Sequence, residues 1–154
     1  MLALAWGSSF AQDQVVVIVE EPSPTVDQYW AGVSGGFPGF NLHFGVHDLI
    51  SPGIDGRATL SFTYVGAFGL GADVLIALPV EVEGPFNIYG GGGLFGAFGG
   101  GSAFGLNLFV GGEYRLVDAN FPQGGIFLEL GPALLVAPGL GAGFNGRLGF
   151  NYHF

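Results

Sequence analysis

The residues with chemistry to offer are few: three histidines, three arginines with no lysine, twelve carboxylates and no cysteine. His43 and His47 share one face of an extended chain, but four residues of strand separate them by roughly 13 Å. They cannot chelate one metal ion by themselves, and lining a lumen suits them better than ligation. His153 reads as ordinary polar lining near a rim. A nucleophile needs a base within hydrogen-bond reach, and Ser34 or Ser61 beside His43 is the conceivable pairing. No local catalytic motif surrounds either serine, so no catalytic, cofactor-binding or metal residue is assigned and no enzyme activity is expected. Without cysteine there is neither a disulfide framework nor a thiolate metal site. A net charge of −9 leaves nothing to neutralise phosphates, which excludes a nucleic-acid partner.

The elements that must position these groups are strands. From Phe144 the even positions are Phe144, Gly146, Leu148, Phe150, Tyr152 and Phe154, and the odd ones are Asn145, Arg147, Gly149, Asn151 and His153. That period-two alternation gives one apolar and one polar face. Similar runs recur near residues 29–37, 40–48, 56–65, 68–78, 86–96, 104–116, 125–136 and 143–154. Between them lie turn residues such as Phe37-Pro38-Gly39-Phe40, Ser51-Pro52-Gly53 and Ala137-Pro138-Gly139. No run of 18 apolar residues is uninterrupted by glycine or a polar residue, so a helical membrane span is not expected. Eight strands joined by short connectors predict an all-β fold: an eight-stranded antiparallel up-and-down transmembrane β-barrel.

The phase of the strands sorts the charges. Arg57, Arg115 and Arg147 fall on the inward face with Asp73, Glu113 and Glu129, so the interior balances to zero. Eight strands enclose a space just wide enough for side chains to fill, and an unpaired charge there is costly. A hairpin centred on Pro138 sets Glu129 opposite Arg147. The other nine acids lie in the N-terminal segment or near the connectors after strands two, four and six. The opposite connectors are apolar and glycine-rich. Inward glycines at 69, 71, 91, 93 and 131 predict a small cavity open at that far end. Tyr29, Trp30, Tyr89, Tyr114 and Tyr152 gather toward the end that carries the termini, as an interface girdle would. Strand five is ambiguous, because Gly90 to Gly93 carry no phase.

Along the chain, residues 1–11 read as the remnant of a signal peptide, with small residues at Ser9 and Ala11. Residues 12–28 form an acidic N-terminal periplasmic segment, and residues 29–154 the barrel. At the final strand, Arg147, Gly149, Tyr152 and Phe154 match the polar-x-Gly-x-x-aromatic-x-Phe signal of outer-membrane barrels. The chain thus resembles small eight-stranded outer-membrane barrels of the OmpA, OmpX and OmpW type. The resemblance implies location in the cell outer membrane with both termini periplasmic. It also implies outer-membrane lipids, the barrel-assembly machinery and other envelope proteins as partners. The implied role is structural or accessory; a narrow conduit for small or hydrophobic solutes is the alternative. The chain departs from that pattern in its short apolar outer turns and its lack of lysine.

Overall fold

A computed structural model describes residues 27–154 apart from 38, 65, 81 and 100. The signal-peptide expectation for residues 1–11 and all but the last two residues of the acidic segment lie outside the described residues. Eight strands run in order: β1 (Tyr29–Phe37), β2 (Gly39–Val46), β3 (Ile54–Thr63), β4 (Phe68–Ala77), β5 (Phe86–Phe98), β6 (Ser102–Arg115), β7 (Gly124–Ala137) and β8 (Gly141–His153). Each pairs antiparallel with its sequence neighbours, and β1 pairs with β8 to close the barrel. Closure leaves no sheet edge. It is completed where β1 begins and β8 ends, Tyr29 and Phe154 exchanging both backbone hydrogen bonds, at 2.9 and 2.8 Å.

The strands are tilted, and the register shows it. Paired residues followed once round the barrel lead from Gly32 through His43, Thr59, Gly71, Phe95, Gly105 and Leu135 to Gly141. Gly32 itself pairs with Asn151, so the walk returns ten residues away, from 141 to 151. Such a stagger is what tilting eight strands into a barrel requires.

Polarity is inverted relative to a water-soluble domain. Leu94 and Leu108, each 64% exposed, and Leu148, at 59%, stand on the outer surface with Val33, Leu42, Val110, Leu128 and Leu130. Ser34, His43, Arg57, Thr59, Asp73, Asn107, Glu129 and Asn151 are buried inside. A continuous exposed apolar surface far exceeds what a water-soluble monomer carries. Among the described residues no helix is long and apolar enough to cross a membrane, a test that does not bear on strands.

The two ends differ. At the terminal end, where β1 begins and β8 ends, the connectors span residues 47–53, 78–85 and 116–123, the last with a short 3-10 turn at Val117–Ala119. Far-end connectors span only residue 38 and residues 64–67, 99–101 and 138–140. Outward aromatics do gather at the terminal end: Tyr29 packs on Phe44 and Phe154, Tyr152 on Phe154 and Phe121, and Tyr114 on Phe86. Two residues expected in that girdle belong elsewhere. Trp30 is 3% exposed and points inward, where Gly45 makes room, since a Cβ there would collide with the indole. Tyr89 also points inward, and its hydroxyl donates to Glu129 at 2.9 Å.

Candidate functional site

The polar residues of the lumen form three tiers. The terminal end opens into a cavity of about 420 Å³ whose wall includes Asp27, His47, Asp55, Arg57, Glu113, Arg115 and His153. A smaller cavity of about 130 Å³ at the far end is lined in part by Asn41, Thr59, Ser61, Asp73, Asn107 and Arg147. Between them lies a layer of ion pairs.

That layer is built on Arg57. Its Nε donates to Asp73 at 2.9 Å, and its two terminal nitrogens form a bidentate pair with Glu129. Arg147 reaches the same Glu129 carboxylate, Nε to Oε2, at 2.8 Å. Tyr89 and Asn107 supply further donors, to Glu129 and Asp73. The register brings these groups together, because Arg57 pairs with Asp73 and Glu129 with Arg147 on neighbouring strands. Both guanidinium groups lie over the Phe109 ring, with centroid distances of 4.9 and 5.4 Å, an arrangement that favours the cations. Arg57, Asp73 and Glu129 side chains are each 3% exposed or less. Two arginines and two carboxylates make the layer neutral, which limits the penalty of burying charge to what pairing and hydrogen bonds can offset. Phe127, 1% exposed, completes it, with Gly149 beneath the ring where a Cβ would collide.

The expected Glu129–Arg147 pair is therefore present, but Glu129 is shared with Arg57. Arg115 departs further from expectation. It sits at the rim, 20% exposed, donating to Asp27 at 3.1 Å and to the Pro122 carbonyl at 2.7 Å. Asp27 is one of the nine acids outside the inward set, at the end of the acidic segment. Its contact, with the hydrogen bond from the His47 amide to the Gln28 carbonyl, docks the end of the N-terminal segment against the barrel mouth. The far-end cavity is lined by Gly69 and Gly71 as expected. Gly91, Gly93 and Gly131 instead make room for the Phe109 ring, Asp73 and the β6 backbone.

Toward the far end of the same face, His43 lies between hydroxyls, with Ser34 Oγ at 2.8 Å from Nε2 and Thr59 Oγ1 at 3.1 Å from Nδ1. Asn41 donates to Ser34, and Ser61 donates to Asn41. The Ser34–His43 pairing thus exists. Ser34 is 2% exposed and the second imidazole nitrogen meets a threonine rather than a carboxylate, so the group reads as a hydrogen-bonded brace across β1, β2 and β3.

The vestibule holds a chain that spacing along single strands could not disclose. Asp55 Oδ2 lies 2.9 Å from His47 Nδ1, His47 Nε2 lies 3.1 Å from His153 Nδ1, and His153 Nε2 lies 2.7 Å from Glu113 Oε1. The hydrogen bond to Asp55 holds the His47 imidazole above its ordinary pKa, against the opposing effect of burial. Glu113 is also fixed by Asn151 Nδ2, and Asp55 by the Asp48 amide. Among the described residues no group of three or more His, Asp or Glu side chains is arranged to hold a metal ion.

No protein-family model matches the chain, and no curated protein sequence matches it. Among solved structures it is similar to Neisserial surface protein A, with a TM-score of 0.49 and 14% identity over 82% of this chain and 93% of that one. The likeness is one of architecture.

Proposed function

We propose that this chain is an outer-membrane β-barrel protein with a structural or accessory role in the cell envelope, its lumen closed by the Arg57–Asp73–Glu129–Arg147 layer. The observation that carries the reading is the inverted polarity: an apolar belt faces outward while a neutral, fully paired ionic layer fills the middle. Water cannot offer such a belt a favourable partner, whereas lipid can. With the termini in the periplasm, the far end presents short apolar turns with Phe37, Tyr64 and Leu140 strongly exposed. That end lacks the long polar loops through which small barrels commonly bind, and it fits packing against lipid or another envelope protein. β8, with Tyr152 in it and Phe154 directly after it, is the strand that the barrel-assembly machinery would read. Deleting Phe154 should lower membrane levels, and unchanged levels would contradict that role.

Membrane integration is tested by fractionation and gel mobility. The protein should partition with the outer membrane and migrate differently before and after boiling; recovery as a soluble monomer without detergent would overturn the reading. A narrow conduit is the second reading. It draws on the two cavities, which meet the ionic layer from opposite sides at Arg57 and at Asp73 with Arg147.

A further inference from the structure

The four titratable groups crossing the terminal mouth come from separate elements: His47 from the connector after β2, Asp55 from β3, Glu113 from β6 and His153 from β8. Their three contacts are all of hydrogen-bond length, so each requires one proton. Ionised carboxylates only accept. The outer bonds therefore take the Nδ1 proton of His47 and the Nε2 proton of His153, which are all the protons that two neutral imidazoles possess. The central contact, Nε2 to Nδ1 at 3.1 Å, would then set two lone pairs against each other. A third proton resolves this, and the count of three holds wherever within the chain each one resides.

Ring geometry specifies a proton rather than a metal ion. The imidazole planes differ by 11° and the centroids lie 5.3 Å apart, while the facing nitrogens are 3.1 Å apart. The excess of the first distance over the second is about two ring radii, so the rings meet end to end and do not stack face to face. An ion midway between nitrogens 3.1 Å apart would lie about 1.5 Å from each, short of the roughly 2.0–2.1 Å that a metal–imidazole bond needs, whereas a single N–H between them makes a straight hydrogen bond.

We propose that His47 and His153 hold one proton between them, forming a clasp across the vestibule mouth that a second proton opens. With both rings doubly protonated, an N–H would face an N–H between two cations, and the central bond would be lost. His47 sits on a connector and is a quarter exposed, while His153 is 3% exposed. His47 is therefore the side that moves. The other charged groups facing the pair are already engaged. Arg57 is held by Asp73 and Glu129 and Arg115 by Asp27, and Asp48 accepts the Gly53 amide in its own turn. Trp30 packs against the buried ring of the pair, with a centroid distance of 6.4 Å to His153. None of these offers an alternative partner for a released imidazole. The proposal is independent of whether the lumen conducts.

The test is nitrogen NMR of the protein in detergent micelles, with histidine labelled in the ring. The described residues hold all three histidines, so His47→Gln and His153→Gln assign every signal, and an unchanged His43 signal reports that the barrel has folded. In the wild type His47 and His153 should move together in two steps more than about one pH unit apart, as coupled sites do. Each single substitution should collapse the remaining histidine to one step. Two independent single-step titrations, each unmoved by replacing the other residue, would overturn the shared proton. Amide exchange tests the opening. Residues 47–53 should lose protection relative to residues 116–123 once the second proton binds, and equal protection in the two connectors throughout would overturn the clasp.

Discussion

The central layer and the vestibule use the same chemistry, carboxylates paired with nitrogen groups inside the barrel, but differ in access to water. In the layer, Arg57, Asp73 and Glu129 are all but inaccessible, and each carboxylate has at least two donors. In the vestibule, Arg115 and Asp27 are 20% and 33% exposed and His47 and Asp55 are each 25% exposed. The difference teaches which contacts hold the barrel together and which are free to respond. A buried charge that loses its partner cannot recruit water, so the layer is rigid. A partly exposed one can, so the vestibule can change protonation without unfolding the wall.

The comparison is broken most severely at Arg57. Arg57→Ala removes the shared donor of Asp73 and Glu129 and strands carboxylate in a dry layer, at a cost of roughly 3–5 kcal/mol, measured by denaturant unfolding in detergent. Arg147→Ala should cost less, about 1–3 kcal/mol, between an exposed and a fully buried ion pair, because the Arg147 side chain is 11% exposed and Glu129 keeps Arg57 and Tyr89. A larger loss for Arg147 than for Arg57 would reverse the assignment of the central residue.

Changing pH probes the intermediate case. The His47 imidazole is held above its ordinary value by Asp55, so its contribution is fully present below about pH 6.5 and is lost as pH rises through its higher folded value. The shared proton adds the opposite trend on the acid side, where the unfolded chain takes up a second proton more readily than the clasp does. The stability difference between wild type and His47→Gln should therefore peak near pH 6.5 and fall on both sides. A difference that does not vary with pH would show that His47 has no such linkage. The smallest effect belongs to Arg115→Ala: its pair with Asp27 is exposed, and the loss should be about 0–1 kcal/mol and should shrink in salt.

Much of this was legible in the sequence because a strand's period is two. Alternation alone placed eight strands within a few residues of their bounds, set Arg57 and Asp73 inward and brought Glu129 opposite Arg147. It failed where side chains carry no phase. Gly90 to Gly93 left β5 unread, and with it Tyr89, although Asn87 two residues earlier marks the same inward face. Trp30 shares its phase with Ser34, yet its aromatic character pointed to a girdle; the vacancy that admits it belongs to Gly45 on the next strand. The His47–His153 contact spans the mouth of the barrel between residues 106 apart in sequence. No spacing within one strand encodes it, and only closure of β1 on β8 brings the two together.

The closed lumen is the claim on which the structural reading depends, and single-channel recording in planar bilayers tests it most directly. Wild-type protein should show no steady conductance at neutral pH, while Arg147→Ala, which loosens the layer without dismantling it, should leak. Steady wild-type conductance that changes only in ion selectivity on the same substitution would contradict the account and make the inward charges the lining of a water path.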